Sequence, residues 1–276
     1  VATRIITGLI LAPLLIWAVL MAPKLAMIIV LALACARCTD ELLRMYPECR
    51  REDRVVAALL ATGISVSTLL GGVGLWLAIG VAPVVWLSYC LVRPGDVEIA
   101  SRRAALGMLA LGYVGILIGM LIAIYQHGTA IAPETLGVTT VRDVGRGGLM
   151  SVFLMVFMGD TGAYFAGRAF GKHKLYELIS PKKTMEGALG GLLASMLGGW
   201  LTSRYLVPMP ASSGLLLGAT CGAVGQIGDL VESLFKRATR TKDSGQLLPG
   251  HGGLLDRVDG VLFAAPVVQL WLLVAP

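Results

Sequence analysis

Residues 104–125 read AALGMLALGYVGILIGMLIAIY, an apolar run without a charged side chain. A helix needs about 20 such residues to cross a bilayer. The pattern is neither alternating nor amphipathic, so it reads as a membrane helix and not as a strand or a surface helix. Working outward, similar runs occur at Ile5–Met21, Leu25–Leu43, Val55–Leu70, Val73–Val92, Leu149–Phe170, Met185–Leu206, Ser212–Ser233 and Leu255–Val274. Hydrophobic residues make up 56% of the 276-residue chain and charged residues 14%. Soluble domains rarely approach that balance, and disorder is excluded by it. The expectation is an all-α, polytopic membrane bundle of about nine transmembrane helices.

Two details qualify the count. Arg4 followed by Ile5–Met21 imitates a secretory leader, but Met21-Ala22-Pro23 is a poor cleavage site, so the run is read as a retained first helix. The runs on either side of Gly71-Gly72 are close enough to form either two spans or a re-entrant hairpin.

Lysine and arginine set the orientation, because short cytoplasmic loops carry the excess. Nineteen of the 23 lie at one set of helix ends, and only Lys24, Arg142, Arg146 and Arg204 lie at the other. This predicts a cytoplasmic N-terminus and an external C-terminus. Glycines recur every four residues at Gly115/Gly119, Gly167/Gly171, Gly187/Gly191 and Gly214/Gly218/Gly222. That spacing lets helices approach closely in lipid. Cys35-x-x-Cys38 has no second cysteine or histidine pair, so the five cysteines read as helix-filling residues and not as a zinc site.

The residues suited to chemistry fall in the last 120 positions. Asp160 sits near the middle of a span, where a carboxylate is costly and has a partner or a role. Next come Gly167-Arg168, Gly171-Lys172, Lys174 and Ser180-Pro181-Lys182-Lys183-Thr184-x-Glu186-Gly187. Ser180-Pro181 reads as a helix start, with the lysines and Thr184 in its first turn. Cations there oppose the helix dipole, so a phosphate cradle explains them better than helix propensity. The last cluster is Ser233–Gly260, SLFKRATRTKDSGQLLPGHGGLLDRVDG. Asp229, Glu232 and Lys236 share one helix face just before and within it, and Asp256 and Asp259 share another. Capping alone could account for Asp256 and Asp259 but not for Asp229 near the end of its span. Carboxylates from two helices beside cations suit a divalent ion holding a polyphosphate. His251 could donate to a phosphate, act as an acid, or only fill a tight loop.

The stretch Ser233-x2-Lys236-Arg237-x4-Lys242-Asp243-Ser244-Gly245-x3-Pro249-Gly250-His251-Gly252-Gly253-x2-Asp256-Arg257-x-Asp259 is similar to the signature of phosphatidate cytidylyltransferases, also called CDP-diacylglycerol synthases. The Asp160 segment, Ser180–Gly187 and Gly228-Asp229 resemble that family as well. The resemblance covers roughly residues 150–276, while the first half agrees only in being hydrophobic.

It implies an integral protein of the bacterial inner membrane whose site faces the cytoplasm and joins CTP to phosphatidic acid, giving CDP-diacylglycerol and pyrophosphate. The implied cofactor is Mg²⁺, with a second, monovalent cation as a further candidate. The implied metal ligands are Asp229 and Asp256, with Asp259 as an additional ligand or supporting group. Lys236, Lys242, Asp243 and His251 fall in the catalytic set. Asp160, Ser180, Lys182, Lys183, Thr184, Glu186, Arg237, Gly252, Gly253 and Arg257 fall in the substrate-binding set. The expected organisation is N-terminal membrane helices (1–92), a middle span with an outer loop (93–148), and a catalytic membrane region (149–276). Membrane lipids are expected partners and nucleic acid is not, and the chain could act alone or as a homodimer. The alternatives are another CTP-dependent lipid transferase or kinase, or a transporter. The latter would need inverted halves, which this chain does not display.

Overall fold

The computed structural model describes residues 13–93, 95–127, 143–247 and 252–274. Helices dominate it. In a bilayer a helix satisfies its own backbone N–H and C=O groups, which lipid cannot do. In chain order these are α1 (described over residues 13–21), α2 (Lys24–Arg44), α3 (Arg51–Ser67), α4 (Gly71–Val92), α5 (Val97–Ala110), α6 (Leu117–Gln126), α7 (Val144–Phe170), α8 (Met185–Tyr205), α9 (Ala211–Ala238) and α10 (Leu255–Val274). A π-helical turn, Leu111–Ile116, joins α5 to α6 without a break. Among the described residues five stretches are long and apolar enough to cross a membrane: Arg51–Val92, Val97–Gln126, Val144–Phe170, Ala211–Ala238 and Leu255–Val274. The two runs flanking Gly71-Gly72 form separate helices, α3 and α4. A short 3₁₀ turn at Thr68–Leu70 and Gly71 at φ +76° reverse the chain between them, a conformation glycine adopts without a Cβ penalty.

One departure from the all-helical expectation lies between α7 and α8. Lys174–Tyr176 (β1) pairs antiparallel with Ser180–Thr184 (β2). Ser180-Pro181 is therefore not a helix start. The strand runs through both lysines, and α8 begins at Met185 with Thr184 as its N-cap, its hydroxyl accepting the Gly187 N–H at 3.1 Å. Backbone pairing outweighs the Ser-Pro signal because Pro181 has no N–H to lose in a two-stranded edge.

The chain forms two compact units. The first comprises Pro23–Ala123 and Ala238–Val258. There α3 packs between α2 and α4, and Gly115 and Gly119 approach α3 so closely that a Cβ would press on Ala61 and Ser65 backbone atoms. Fully buried Asp53 accepts the Arg50 N–H at 2.8 Å and the Tyr89 hydroxyl at 3.0 Å, and it pairs with Arg93. These contacts pin the charged ends of α3 and α4 together. The second unit comprises Ala12–Ala22, Ile124–Arg237 and Asp259–Pro276. Its core is the α7–α8 pair, whose small faces meet at Gly162, Ala166, Gly190 and Ala194. On α9, Gly214 and Gly218 lie against Gly199 and Ser195–Met196 of α8. The four-residue glycine spacing is thus a packing device, as small residues in membrane helices commonly are. All five cysteines are buried and unbridged.

Candidate functional site

In the second unit, α9 and α10 touch at Gly228. A Cβ on that residue would lie 2.7 Å from the Asp259 carbonyl oxygen and 2.9 Å from Phe263. This close approach sets Asp229, the next residue on α9, beside Asp259 on α10. Glu232, one turn further along α9, completes a triad whose carboxylate oxygens all lie within 4.8 Å of one another. Glu232 is fully buried, and Asp229 and Asp259 are half-buried.

Two lysines offset the negative charge. Lys183, on β2, brings Nζ to 2.5 Å from Asp229 Oδ2, and Lys236 pairs with Glu232 one turn along α9. The charged neighbours of Asp259 also include Asp160 and Lys236, which places Asp160 of α7 within the field of the same cluster. The Ser233 hydroxyl lies 3.5 Å from Asp229 Oδ1, and the Gly260 N–H donates to Asp259 Oδ1 at 2.7 Å.

The hairpin that carries Lys183 is held from several sides. Arg237 Nε donates to the Ile179 carbonyl at 3.0 Å, and Lys174 Nζ donates to the Pro181 carbonyl at 2.6 Å. Glu186 accepts the Lys172 N–H at 3.0 Å and lies 2.6 Å from His173 Nδ1. The observed contacts of Arg237, Thr184 and Glu186 are therefore with the hairpin and the start of α8. Lys182, the neighbour of Lys183, is exposed. Strand alternation separates the two lysines, one toward Asp229 and one outward.

The glycine-rich segment belongs to the first unit. There Asp256 Oδ2 accepts the Gly253 N–H at 2.7 Å, the Ser244 N–H at 2.9 Å and the Ser244 hydroxyl at 2.9 Å. Reaching back to the amide three residues earlier is what the acid of a capping box does. Gly252 adopts φ +82°, and a Cβ there would meet Asp256 Oδ2 at 2.7 Å. Lys242, Asp243 and Arg257 are exposed. His251 lies outside the described residues.

Asp229, Asp259, Lys183 and Lys236, all expected in the site from the sequence, come together in the second unit. Glu232 joins them unexpected, its place on the Asp229 helix face being the available signal. His173 pairs with Glu186 through a hairpin that no local sequence pattern announces.

The donor set suits a hard divalent cation. Three carboxylates so close repel one another unless a proton or a positive charge is shared between them. Oxygen-only ligands of this kind favour Mg²⁺ over softer metals.

A helical protein with several membrane-length apolar helices and a carboxylate–lysine cluster at the α9–α10 contact is the class that fold and site define. Residues 2–275 match the family model described as the cytidylyltransferase family, and the chain belongs to that family. It is similar to the phosphatidate cytidylyltransferase of Staphylococcus aureus (strain COL), at 46% identity over 134 residues, 48% of this chain and 51% of that protein. The phosphatidate cytidylyltransferase of Staphylococcus epidermidis (strain ATCC 12228 / FDA PCI 1200) is 47% identical over 134 residues, again 48% and 51%. That of Staphylococcus haemolyticus (strain JCSC1435) is 38% identical over 191 residues, 68% of this chain and 66% of that protein. The match thus spans about half the length of the first two relatives.

Proposed function

We propose that this chain transfers the cytidylyl group of CTP to phosphatidic acid, releasing pyrophosphate and leaving CDP-diacylglycerol in the membrane. The observation that carries the reading is the convergence of Asp229, Glu232 and Asp259 with Lys183 and Lys236, in a chain of the cytidylyltransferase family. The lipid phosphate monoester is already an anionic nucleophile, so the protein need not activate it by much proton transfer. In-line attack on the α-phosphorus forms the new P–O bond as the bond to pyrophosphate breaks. The protein's share is positioning and charge neutralisation.

Asp229, Glu232 and Asp259 would hold Mg²⁺, which when bound supplies positive charge to the triphosphate. The family resemblance alone would add Asp256 to that set; its observed contacts are with the loop. Lys183 and Lys236 sit where they can pass from carboxylate to phosphate partners when anionic substrate arrives. Lys182, Arg237, Lys242 and Arg257 add cations for the remaining phosphate oxygens. An apolar groove of about 690 Å³, lined by Leu15, Ile16, Met158, Thr161, Phe165 and Ala194 among others, is suited to an acyl chain. A cytoplasmic N-terminus, which the lysine and arginine bias of the loops favours, would put these cations toward the inner leaflet, where CTP is available. The apolar helices and the bacterial relatives suit a bacterial membrane as its location.

The test is a radiolabelled CTP assay on the purified chain in mixed micelles with phosphatidic acid. Labelled lipid that co-migrates with CDP-diacylglycerol, lost with EDTA and restored by Mg²⁺, supports the reading. Label appearing as a phosphorylated lipid alcohol would favour the kinase alternative. Absence of any labelled lipid would end the proposal.

A further inference from the structure

Glu41 lies near the end of α2, in the half of the chain that carries no recognisable motif, yet it is fully buried. A buried carboxylate is costly unless its oxygens find donors. Its Oε2 accepts the Leu255 N–H at 2.9 Å and stands 3.5 Å from the Ser244 hydroxyl. Its Oε1 receives Arg37 Nε at 3.0 Å, which supplies the counter-charge from the previous turn. Leu255 opens α10, so its amide is one of the donors a helix start leaves unpaired.

The loop closes tightly around this carboxylate. A Cβ on Gly245 would lie 2.6 Å from Glu41 Oε1, and one on Gly253 would collide with Glu41 Oε2 and the Ser244 hydroxyl. Ser244 stands between two acids, with its hydroxyl 2.9 Å from Asp256 Oδ2 and 3.5 Å from Glu41 Oε2. The inner side of the segment, Ser244, Gly253 and Leu255, is buried on the two carboxylates. Lys242, Asp243 and Arg257 face outward and are exposed. What Glu41 holds is the back of a loop whose front carries ionic side chains.

We propose that Glu41 is a positioning residue for the glycine-rich loop between α9 and α10, acting on nucleotide binding through Ser244 and Leu255; this rests on the cytidylyl-transfer reading above. Glu41 touches no reacting atom in this scheme. Its effect falls on the substrate that the loop contacts and not on the lipid.

The experiment uses the full chain reconstituted in phosphatidic acid–containing vesicles: wild type, Glu41→Gln, Glu41→Ala and, as a neighbour control, Asp40→Asn. Asp40, the residue before Glu41, pairs with Arg37 of its own helix and Arg54 of α3 and makes no contact with the loop among the contacts described. KM for CTP is expected to rise about tenfold in Glu41→Gln and further in Glu41→Ala, with KM for phosphatidic acid unchanged and Asp40→Asn like wild type. Hydrogen–deuterium exchange is expected to speed up in residues 243–256 and nowhere else. Two results would overturn the proposal: unchanged KM for CTP with unchanged exchange, or a fall in Vmax alone with faster exchange throughout α2–α5, which marks a plain fold stabiliser. Should wild type make no CDP-lipid, the functional reading fails by itself, and the exchange pattern still decides whether Glu41 holds the loop.

Discussion

Lys183 reaches from the β2 strand to Asp229 on α9, its Nζ 2.5 Å from Oδ2. With the lysine side chain 28% exposed and that of the aspartate 34% exposed, the pair lies at the edge of the acidic cluster and not deep within it. A cation in that position competes with a metal for Asp229 while no substrate is present, and can turn to a phosphate once one arrives. Lys183→Met is therefore expected to change two quantities in opposite directions. Mn²⁺ binding without nucleotide, followed by electron paramagnetic resonance, should tighten. Turnover should fall about 10–100-fold, the equivalent of one charge-assisted hydrogen bond of ~1.5–3 kcal/mol. Weaker Mn²⁺ binding in the variant would show that Lys183 supports the acidic cluster and does not compete for it.

Asp256 and Asp259, three residues apart at the start of α10, make different observed contacts. Asp259 belongs to the triad with Asp229 and Glu232, while Asp256 Oδ2 accepts three hydrogen bonds from the glycine-rich loop. An asparagine at 259 removes a charge from the cluster. At 256 it keeps an acceptor oxygen for the loop amides. Asp229→Asn and Asp259→Asn are expected to lower activity by about 100–1,000-fold, since a catalytic cation contributes several kcal/mol, and to raise the Mg²⁺ concentration for half-maximal rate. Asp256→Asn is expected to lose less and to keep the wild-type Mg²⁺ dependence if loop organisation is its main work. A Mg²⁺ requirement shifted as far as in Asp229→Asn would instead make Asp256 a metal ligand.

How much of this was legible before folding depends on the range of each interaction. The apolar runs announce α2 to α10 because lipid demands internally bonded helices of a set length. Asp229 and Asp259 are legible because helical spacing puts them at span ends, where a carboxylate needs a reason. The β1–β2 hairpin is not, since Ser180-Pro181 is a good local helix start and only pairing with Lys174–Tyr176 overrules it. Glu232 is masked by its own neighbour: with Lys236 four residues on, it looks like an ordinary helix ion pair. Glu41 is invisible for a third reason. Its partners Ser244 and Leu255 lie some 200 positions away, and nothing in KLAMIIVLALACARCTDELLR singles it out from Asp40.

Glu232 and Lys236 form an ion pair whose acid is fully buried and whose ammonium is 13% exposed. Removing one partner of such a buried pair upsets the local charge balance, at a cost of about 3–5 kcal/mol. Glu232→Gln is expected to lower the detergent-solubilised unfolding midpoint clearly, and Lys236→Met should do so as well. The double variant Glu232→Gln/Lys236→Met should recover much of the loss, because it removes one charge of each sign and leaves the net charge of the cluster as it was. Additive loss in the double variant would mean that each side chain stabilises the unit through other contacts.

Gly218 of α9 lies against the α8 backbone at Ser195–Met196, where a Cβ would stand 2.8 Å from Met196 Cα. Backbone atoms cannot move aside as a side-chain tip can, so a larger residue must push the two helices apart. Overpacking of this kind costs about 1–3 kcal/mol, and Gly218→Val should lie at the upper end because its branched side chain faces the contact. The unfolding midpoint in detergent is expected to fall accordingly. Since Asp229 is carried on the same helix, Mg²⁺-dependent activity should fall as well, even at temperatures where the variant is fully folded. Gly80 of α4 is the matched control, as nothing lies within 4 Å of a Cβ built there. Gly80→Val should leave both readouts near wild type, and equal losses at the two positions would refute close α8–α9 packing as the cause.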